Sequence, residues 1–254
     1  MIPLRTEWQA VTDTGLVRQL NEDRFFASEA TGVWAVADGM GGHARGDWAA
    51  AAIVDSLAAM APTDDFDALL ATVADTIRSA NGRIVAEAAA TGSQMGSTIV
   101  ALVVRDRRFG VIWAGDSRAY LLRNGALHRL SRDHSQVQEL VDRDLLTLEG
   151  AATHPLRNVL TRAVGVAEPL ELDMVTDVLL PDDVFMLCSD GLYGCLSDQE
   201  IAAELKRIDA DDAIGTMVAH CLERGAPDNV TAITVVATEP TLLHFGSLSA
   251  GSMS

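Results

Sequence analysis

The pattern of apolar and polar positions in the first hundred residues predicts two strands followed by two long helices. A short run rich in Val and Trp is typical of a buried strand, whereas alanine-rich segments with apolar residues at helical spacing are typical of amphipathic helices. Pro62 marks the end of the first helix, and Gly92 marks the end of the second. The predicted strands are 7–13 and 32–37, and the predicted helices are 47–60 and 65–90.

After residue 96 the pattern changes to short apolar runs that are separated by turns. Asn124-Gly125 is a strong hairpin signal, and a polar segment at 131–165 has mixed helix and loop character. Strands in hairpin order combined with long helices favour an α+β fold with antiparallel sheets over a doubly wound parallel sheet. The predicted strands are 97–104, 109–114, 117–123, 184–188 and 230–237, and the predicted helices are 198–206 and 211–224.

Composition and charge narrow the class of protein. The chain has 254 residues, of which 48% are hydrophobic, so a sizeable core is expected. We found no repeat or linker, and we therefore expect one domain at 1–238 followed by a disordered polar tail at 239–254. The net charge of −17 disfavours nucleic-acid binding and favours basic partners. A compact domain of this kind is expected to be a monomer.

The sequence also predicts a cytoplasmic location. The N-terminus lacks the apolar core of a secretory signal, and no segment approaches the roughly 20 apolar residues that span a bilayer. We therefore expect no membrane insertion. Cys188, Cys195 and Cys221 are too few for a disulfide framework and lack metal-binding spacing, so we expect them to be buried, reduced thiols.

Four short aspartate motifs carry most of the chemical information. Three of the four aspartates follow an apolar, strand-like run, and two are followed at once by glycine. An acidic residue at a strand end, beside a glycine that permits close backbone approach, suits a hard divalent cation. The motifs are 36–43 (Val-Ala-Asp-Gly-Met-Gly-Gly-His), 115–118 (Gly-Asp-Ser-Arg), 188–191 (Cys-Ser-Asp-Gly) and 226–229 (Ala-Pro-Asp-Asn).

The residue types point to phosphate chemistry. A fifth segment, 18–23, places Arg18 close to Glu22 and Asp23, and an arginine beside a metal cluster is typical of a phosphate-binding group. Ligands that are all oxygen suit Mg²⁺ or Mn²⁺ rather than zinc. Two such ions can lower the pKa of a water and aim it at phosphorus, so that no covalent phosphoenzyme is needed.

The complete motif series resembles the bacterial form of the metal-dependent type 2C (PPM) serine/threonine protein phosphatases, over about residues 6–237. The resemblance implies a four-layer αββα sandwich of two antiparallel β-sheets flanked by helices, with a binuclear Mn²⁺ or Mg²⁺ centre at one end. The further matching motifs are 13–15 with Arg18, 21–23, 96–98, 134–135, 160–165 and 228–231.

The resemblance assigns metal ligands residue by residue. Asp38 would bridge both ions, and Asp190 and Asp228 would bind the first ion. The backbone carbonyl of Gly39 would bind the second ion, and Glu22 would hold it partly through water. A water that bridges the two ions would then attack phosphorus directly.

A third, weaker metal site and the phosphate contact also follow from the resemblance. Asp116, together with Asp190, matches the third site, although Asp116 could instead cap a turn or pair with Arg118. Arg18 matches the arginine that binds the substrate phosphate. The resemblance makes Arg18 and Asp38 candidate catalytic residues.

The general acid is left open by the sequence. Many members of the family have a histidine directly after the bridging Asp-Gly, but this chain has Met40, which cannot donate a proton. His43 lies three residues further on and is a candidate catalytic residue, with a structural role near a helix start as the alternative. Metal-bound water could also serve as the acid.

Supporting roles are expected for several nearby residues. Asp13 would brace Arg18 or a turn, with catalytic contact as the alternative, and Asp23 would accept a hydrogen bond beside the metal ligands, with direct ligation as the alternative. Asn229 would position the loop that carries Asp228, and His134 would brace the segment that corresponds to the family's flap.

The predicted function is removal of phosphate from phosphoserine and phosphothreonine, in opposition to a bacterial Ser/Thr kinase. The expected partners are phosphorylated proteins, including such a kinase and its substrates. One alternative is a stress-signalling phosphatase that acts on a single phosphoserine of an anti-sigma antagonist. The other is a catalytically silent protein that shields phosphosites or senses metal. Neither the substrate protein nor the physiological metal can be identified from the sequence.

Overall fold

The structure of the chain is a computed structural model that describes residues 4–41, 45–207 and 212–240. The strands, in chain order, are β1 (Arg5–Asp13), β2 (Asp23–Ser28), β3 (Val33–Met40), β4 (Gly96–Ser97), β5 (Ile99–Arg105), β6 (Arg108–Ala114), β7 (Arg118–Arg123), β8 (Ala126–Arg129), β9 (Asp173–Val178), β10 (Val184–Cys188) and β11 (Val230–Thr238). The helices are α1 (Arg45–Ala58), α2 (Phe66–Thr91), α3 (Gln136–Asp142), α4 (Leu148–Thr153), α5 (Asp190–Tyr193), α6 (Asp198–Leu205) and α7 (Ala213–Glu223).

The strands form two antiparallel sheets. The five-stranded sheet has the order β1-β11-β10-β7-β8, and the six-stranded sheet has the order β2-β3-β5-β6-β9, with β4 paired to β3. The two sheets face each other across a core that includes Trp34, Leu102, Phe185 and Ile233. This arrangement confirms the predicted α+β sandwich of two antiparallel sheets.

Helices cover the outer face of each sheet. The outer face of the six-stranded sheet packs against α1 and α2 through residues such as Ile53, Ile77 and Ile99. The outer face of the five-stranded sheet packs against α5, α6 and α7 through residues such as Met186 and Met217. The central strands of each sheet are therefore buried on both faces, which explains why β3, β5 and β10 are continuous apolar runs rather than alternating ones.

Local sequence signals explain where the long helix and the hairpin lie. The Asp65 side chain caps the start of α2 by accepting the N–H of Ala68, and Gly92 ends the helix in a left-handed conformation with φ of 62°. Asn124 and Gly125 both have positive φ, 52° and 75°, and connect β7 to β8 as the hairpin signal predicts.

The pattern did not predict β2, β9 or α5. β9 is an edge strand whose residues are mostly exposed, so it has no apolar face to produce a strand pattern. The predicted strand at 97–104 is divided at Thr98, whose side-chain hydroxyl accepts the Asp38 N–H at 3.0 Å, while Ser97 pairs with Gly39 in the same register that β5 keeps with β3.

The strand ends bring the aspartate motifs to one end of the sandwich. Asp23 pairs with Asp38 at the start of β2 and near the end of β3, and Cys188, at the end of β10, lies opposite Arg118 at the start of β7. Val230, the first residue of β11, is paired with Asp13.

Some predictions concern residues that the structure does not describe. The limits of the domain, 1–238, and the tail at 239–254 stay predictions, and 241–254 lie outside the described residues. In the described part of the chain, no helix is both long and apolar enough to cross a membrane. The three cysteines are free thiols, with Cys188 and Cys221 buried and Cys195 half-buried.

Candidate metal and phosphate site

A cavity of about 290 Å³ opens at the end of the sandwich where the aspartate motifs meet. Its lining contains every predicted site residue that the structure describes: Arg18, Glu22, Asp38, Gly39, Asp116, Asp190 and Asp228. The remaining predicted site residue, His43, lies outside the described residues. These seven residues, which lie between positions 18 and 228 of the chain, therefore converge on one space.

Asp38 is held by the segment between β4 and β5. Its backbone N–H donates to the Thr98 hydroxyl at 3.0 Å, and its carbonyl accepts the Thr98 N–H at 2.8 Å and the Ser97 hydroxyl at 3.0 Å. The Thr98 and Ser117 hydroxyls lie 2.7 Å apart. The Gly-Ser-Thr motif thus fixes the backbone of Asp38 and leaves its carboxylate free to face the cavity.

Glu22 lies in the loop before β2, and its side chain reaches the start of α1. Its carboxylate accepts the N–H of Gly46 at 3.1 Å, in the first turn of the helix, where the helix dipole favours negative charge. This contact requires close backbone packing, because a Cβ atom on Gly39 would lie 2.3 Å from the Gly46 carbonyl oxygen. Glycine at both positions allows the carboxylate to reach the cavity.

Asp190 and Asp228 are positioned by an interlocked pair of segments. Ser189, which precedes Asp190, donates its hydroxyl to Asp23 at 2.7 Å, and its backbone N–H donates to the Thr231 carbonyl at 3.0 Å. Asn229, which follows Asp228, accepts the Glu22 N–H at 2.8 Å through its side-chain oxygen. Both segments are therefore tied to the β2 side of the cavity.

The aspartates crowd negative charge into a partly buried space. Burial, reinforced by repulsion from the neighbouring carboxylates, raises the pKa of Asp38 well above its usual range. The same two causes raise the pKa of Asp116 to about 7, and that of Asp190 to about 6. Burial also raises the pKa of Asp23 to about 6, against the effect of its hydrogen bonds.

This crowding fits a divalent cation in charge and in donor chemistry. The acidic side chains offer only oxygen atoms, and a bound cation would offset the repulsion that raises their pKa values. Among the described residues, no group of three or more His, Cys, Asp or Glu side chains is already arranged to hold an ion. The donor atoms of the cavity therefore fit a divalent cation, and the assignment of each residue to an ion stays a proposal.

Arg18 forms the edge of the cavity. Its guanidinium donates to Asp228 at 2.6 Å, and this hydrogen bond is the main reason that its pKa is raised. The Arg18 side chain is 52% exposed, so its other N–H groups can reach a ligand at the mouth of the cavity.

The supporting residues occupy the positions that the sequence suggested. Asp13 accepts the Gly15 N–H at 2.8 Å within a turn, and buried Asp23 accepts the Ser189 hydroxyl. The Asn229 side chain donates to the carbonyls of the loop between β1 and β2. His134 accepts the Gly115 N–H at 3.1 Å, and so connects the polar segment to the strand end beside Asp116.

The contacts around Asp116 were not predicted from the sequence. Arg118 pairs with Asp133 at 2.7 Å instead of Asp116, and its guanidinium lies 3.6 Å from the ring centre of Tyr193. The Tyr193 hydroxyl donates to the Asp116 carbonyl at 3.0 Å. Tyr193 follows Asp190 by three residues, one helical turn, and that spacing is the signal that could have identified it.

The chain belongs to the protein phosphatase 2C family, whose sequence pattern matches residues 6–140. The serine/threonine protein phosphatase PstP of Mycobacterium tuberculosis is 35% identical over 234 residues, which cover 91% of this chain and 45% of PstP. The serine/threonine phosphatase stp of Listeria monocytogenes is 33% identical over 237 residues, covering 88% of this chain and 93% of that protein. This chain thus spans a little under half the length of PstP.

Solved structures show the same likeness. PppA, a key regulatory component of the T6SS in Pseudomonas aeruginosa, superposes with a TM-score of 0.86 at 42% identity, over 92% of this chain and 99% of PppA. The catalytic domain of PstP in complex with two manganese ions superposes with a TM-score of 0.80 at 32% identity, over 93% of this chain and 100% of that domain.

Proposed function

We propose that this chain is a phosphoprotein phosphatase that hydrolyses phosphoserine and phosphothreonine with Mn²⁺ or Mg²⁺. The observation that carries the proposal is the single cavity in which Arg18 lies beside five acidic side chains. Family membership supports the same function, since the curated relatives are named serine/threonine phosphatases. The neighbour with two manganese ions supports the metal requirement.

The proposed core ligands are Asp38 between the two ions, Asp190 and Asp228 on the first, and Glu22 with the Gly39 carbonyl on the second. The ions, when bound, would polarise the attacking water and neutralise charge on the phosphoryl oxygens. The Gly46 N–H, in the first turn of α1, holds the Glu22 carboxylate in place at the cavity.

Asp116 and Asp190 are proposed to form a third, weaker cation site. Arg18 is proposed to bind the substrate phosphate. Asp228 accepts a hydrogen bond from Nη2 of Arg18 at 2.6 Å, which orients the remaining N–H groups for phosphate oxygens.

His43 is proposed to protonate the leaving alkoxide, because the half-buried Met40 at the cavity wall has no proton to donate. We expect His43→Gln to lower kcat for a phosphoserine peptide and to spare p-nitrophenyl phosphate, whose leaving group needs little protonation. The measurement is the ratio of the two kcat values. An unchanged ratio would assign His43 a structural role.

We further propose that the chain acts in the cytoplasm as a monomer, on phosphorylated proteins that include a Ser/Thr kinase and its substrates. The acidic net charge supports a role without nucleic acid. The relatives named as Ser/Thr phosphatases support the class of partner.

The first experiment is turnover of a phosphothreonine peptide by the purified chain, with and without Mn²⁺. We expect release of phosphate only with the metal, and at least a hundredfold lower kcat for Asp190→Ala, as an order-of-magnitude estimate for losing one charged group of a catalytic centre. Asp75→Ala, an exposed acid on α2 outside the cavity, is the matched control. Full activity in excess EDTA would refute the proposal. Tight phosphopeptide binding without turnover would favour the binding-protein alternative.

A further inference from the structure

An exposed apolar loop surrounds the arginine at the mouth of the cavity. Leu16, Val17 and Leu20 are 64%, 66% and 52% exposed, and they flank Arg18 in the loop between β1 and β2. Large aliphatic side chains are normally buried, so three of them exposed within five residues beside a candidate ligand-binding arginine are informative.

The loop is held in place by hydrogen bonds. The Leu16 N–H donates to the Ala226 carbonyl at 3.0 Å, and the Asn229 side chain donates to the carbonyls of Thr14 and Leu20 at 2.8 and 2.9 Å. These hydrogen bonds fix the backbone of the loop against the segment that carries Asp228, and the aliphatic side chains of the loop are exposed to solvent.

Two further exposed apolar residues, Val159 and Val166, lie next to residues that line the cavity. Asn158 and Leu160 line the cavity, and between them Val159 is 37% exposed. Met40 forms part of the cavity wall, and 63%-exposed Val166 lies close to it. A Cβ atom on Gly96 would lie 2.9 Å from the Met40 methyl carbon and 3.3 Å from a Val166 methyl carbon.

We propose that this apolar rim, formed by Leu16, Val17, Leu20, Val159 and Val166, binds aliphatic side chains that neighbour the phosphorylated residue of an extended peptide. The inference rests on the proposed phosphatase function. It makes the substrate class a phosphoserine or phosphothreonine with aliphatic flanking residues, in place of the basic sites that the net charge alone favours.

The proposed position of the phosphate explains why the rim would bind residues that flank the phosphorylated residue. A phosphate bound between Arg18 and the carboxylates fixes the phosphorylated residue at the cavity mouth. In an extended peptide each residue advances about 3.3 Å, so the side chains one and two residues away lie within about 7 Å along the chain. Within that distance they reach the loop that carries Arg18. The exposed side chains of this loop are mostly aliphatic, so they offer apolar contact to the peptide.

The test compares substrates with one another and with a small reference substrate. Three phosphothreonine peptides of equal length would carry Leu/Val, Ser or Lys on both sides of the phosphorylated residue, and p-nitrophenyl phosphate would report the chemistry without flanks. We expect kcat/KM for the aliphatic peptide to exceed that for the other two by roughly three- to tenfold, the size of effect from burying part of one or two aliphatic side chains.

Variants then locate the effect. Leu16→Ser and Val17→Ser should reduce the preference for the aliphatic peptide to near unity and leave p-nitrophenyl phosphate turnover unchanged. Val178→Ser is the matched control, because Val178 is 52% exposed but lies at the opposite end of the six-stranded sheet. It should change neither ratio.

Each contrary result has a distinct meaning. Equal kcat/KM for the three peptides, or a preference for the Lys-flanked peptide, would overturn the proposal that the apolar rim binds substrate. Turnover of p-nitrophenyl phosphate in the same experiment would still support the proposed phosphatase function. A change in oligomeric state in Leu16→Ser, with an unaltered peptide preference, would make the rim a contact between copies and also overturn the inference. Absence of p-nitrophenyl phosphate turnover by the Mn²⁺-loaded wild type would remove the function itself.

Discussion

At the scale of single residues, Tyr193 connects the carboxylate cavity to a half-buried ion pair. Its ring supports the Arg118 guanidinium, which is fixed by Asp133, and its hydroxyl holds the Asp116 carbonyl. Hydrogen bonds of this kind orient the groups that contact a metal, and their loss typically weakens metal binding. At the proposed third cation site Tyr193 would accordingly be a positioning residue, one step removed from the cavity.

We expect Tyr193→Phe to raise the Mn²⁺ concentration needed for half-maximal activity, because the Asp116 carbonyl loses this donor while the ring and its stacking remain. The free energy of unfolding should fall by about 1 kcal/mol, typical of one hydrogen bond. Titration of activity with Mn²⁺ and chemical denaturation provide the two measurements.

Tyr120→Phe is the control for this prediction. It removes a hydroxyl from the same cluster, one that donates to Asp198 at 3.2 Å and does not contact Asp116. An equal shift of the Mn²⁺ titration in both variants would show that the effect is general loosening of the cluster.

At the scale of elements, Arg123 joins the two sheets at the end of the sandwich opposite the cavity. It is the last residue of β7, and it donates to Asp183 at 2.8 and 2.7 Å. It also donates to Asp177 and to the Val178 carbonyl, on β9 of the other sheet, at 3.0 and 2.8 Å. One guanidinium therefore uses its planar set of donors to hold strands from both layers.

We expect Arg123→Met to lower the free energy of unfolding by about 3 kcal/mol, since it leaves the Asp183 carboxylate, which is 1% exposed, without its charged partner. Turnover per folded molecule should be unchanged because the cavity lies at the other end. Urea denaturation and p-nitrophenyl phosphate assays would measure the two effects.

Arg78→Met provides the comparison, because it removes an exposed ion pair to Asp75 on α2. An exposed pair of this kind contributes less than about 1 kcal/mol. Similar losses in both variants would contradict the special role of Arg123.

At the scale of the whole molecule, the net charge of −17 is partly concentrated in one cavity, where carboxylates repel one another. Without a cation this repulsion opposes folding, so binding of a cation should couple directly to stability. The same argument predicts that stability is more sensitive to divalent ions than to ionic strength.

We expect Mn²⁺ at about 100 times its dissociation constant to stabilise the fold by about 2.7 kcal/mol, measured as a rise in Tm at constant ionic strength. Asp190→Asn should lose most of this rise, and Asp75→Asn should keep it. An equal rise in the Asp190→Asn variant would indicate that the ion acts elsewhere on the acidic surface.

Much of the fold, and the convergence of the acidic residues on one cavity, could be predicted from the sequence, because apolar strand ends followed by Asp-Gly or Asp-Ser are local signals. The edge strand β9 could not be predicted, since its exposed residues have no periodic apolar face. The roles of Tyr193 and Arg123 were also hidden, because each depends on partners from strands or helices far away in the chain. The apolar rim could not be recognised, because only exposure distinguishes Leu16 and Val17 from core residues.

The cavity takes its acidic side chains from both layers of the sandwich, with Asp38 on the six-stranded sheet and Asp190 directly after β10 of the five-stranded sheet. An ion bound between them would link the two sheets and resist sliding of one sheet over the other. Hydrogen bonds such as Ser189 to Asp23 already join the two layers at the cavity end, and the ion would strengthen this link, while Arg123 joins the layers at the opposite end in both forms. Amide protons near Asp38 and Cys188 should then exchange with solvent more slowly once the ion is bound, and those near Arg123 should exchange at the same rate in both forms.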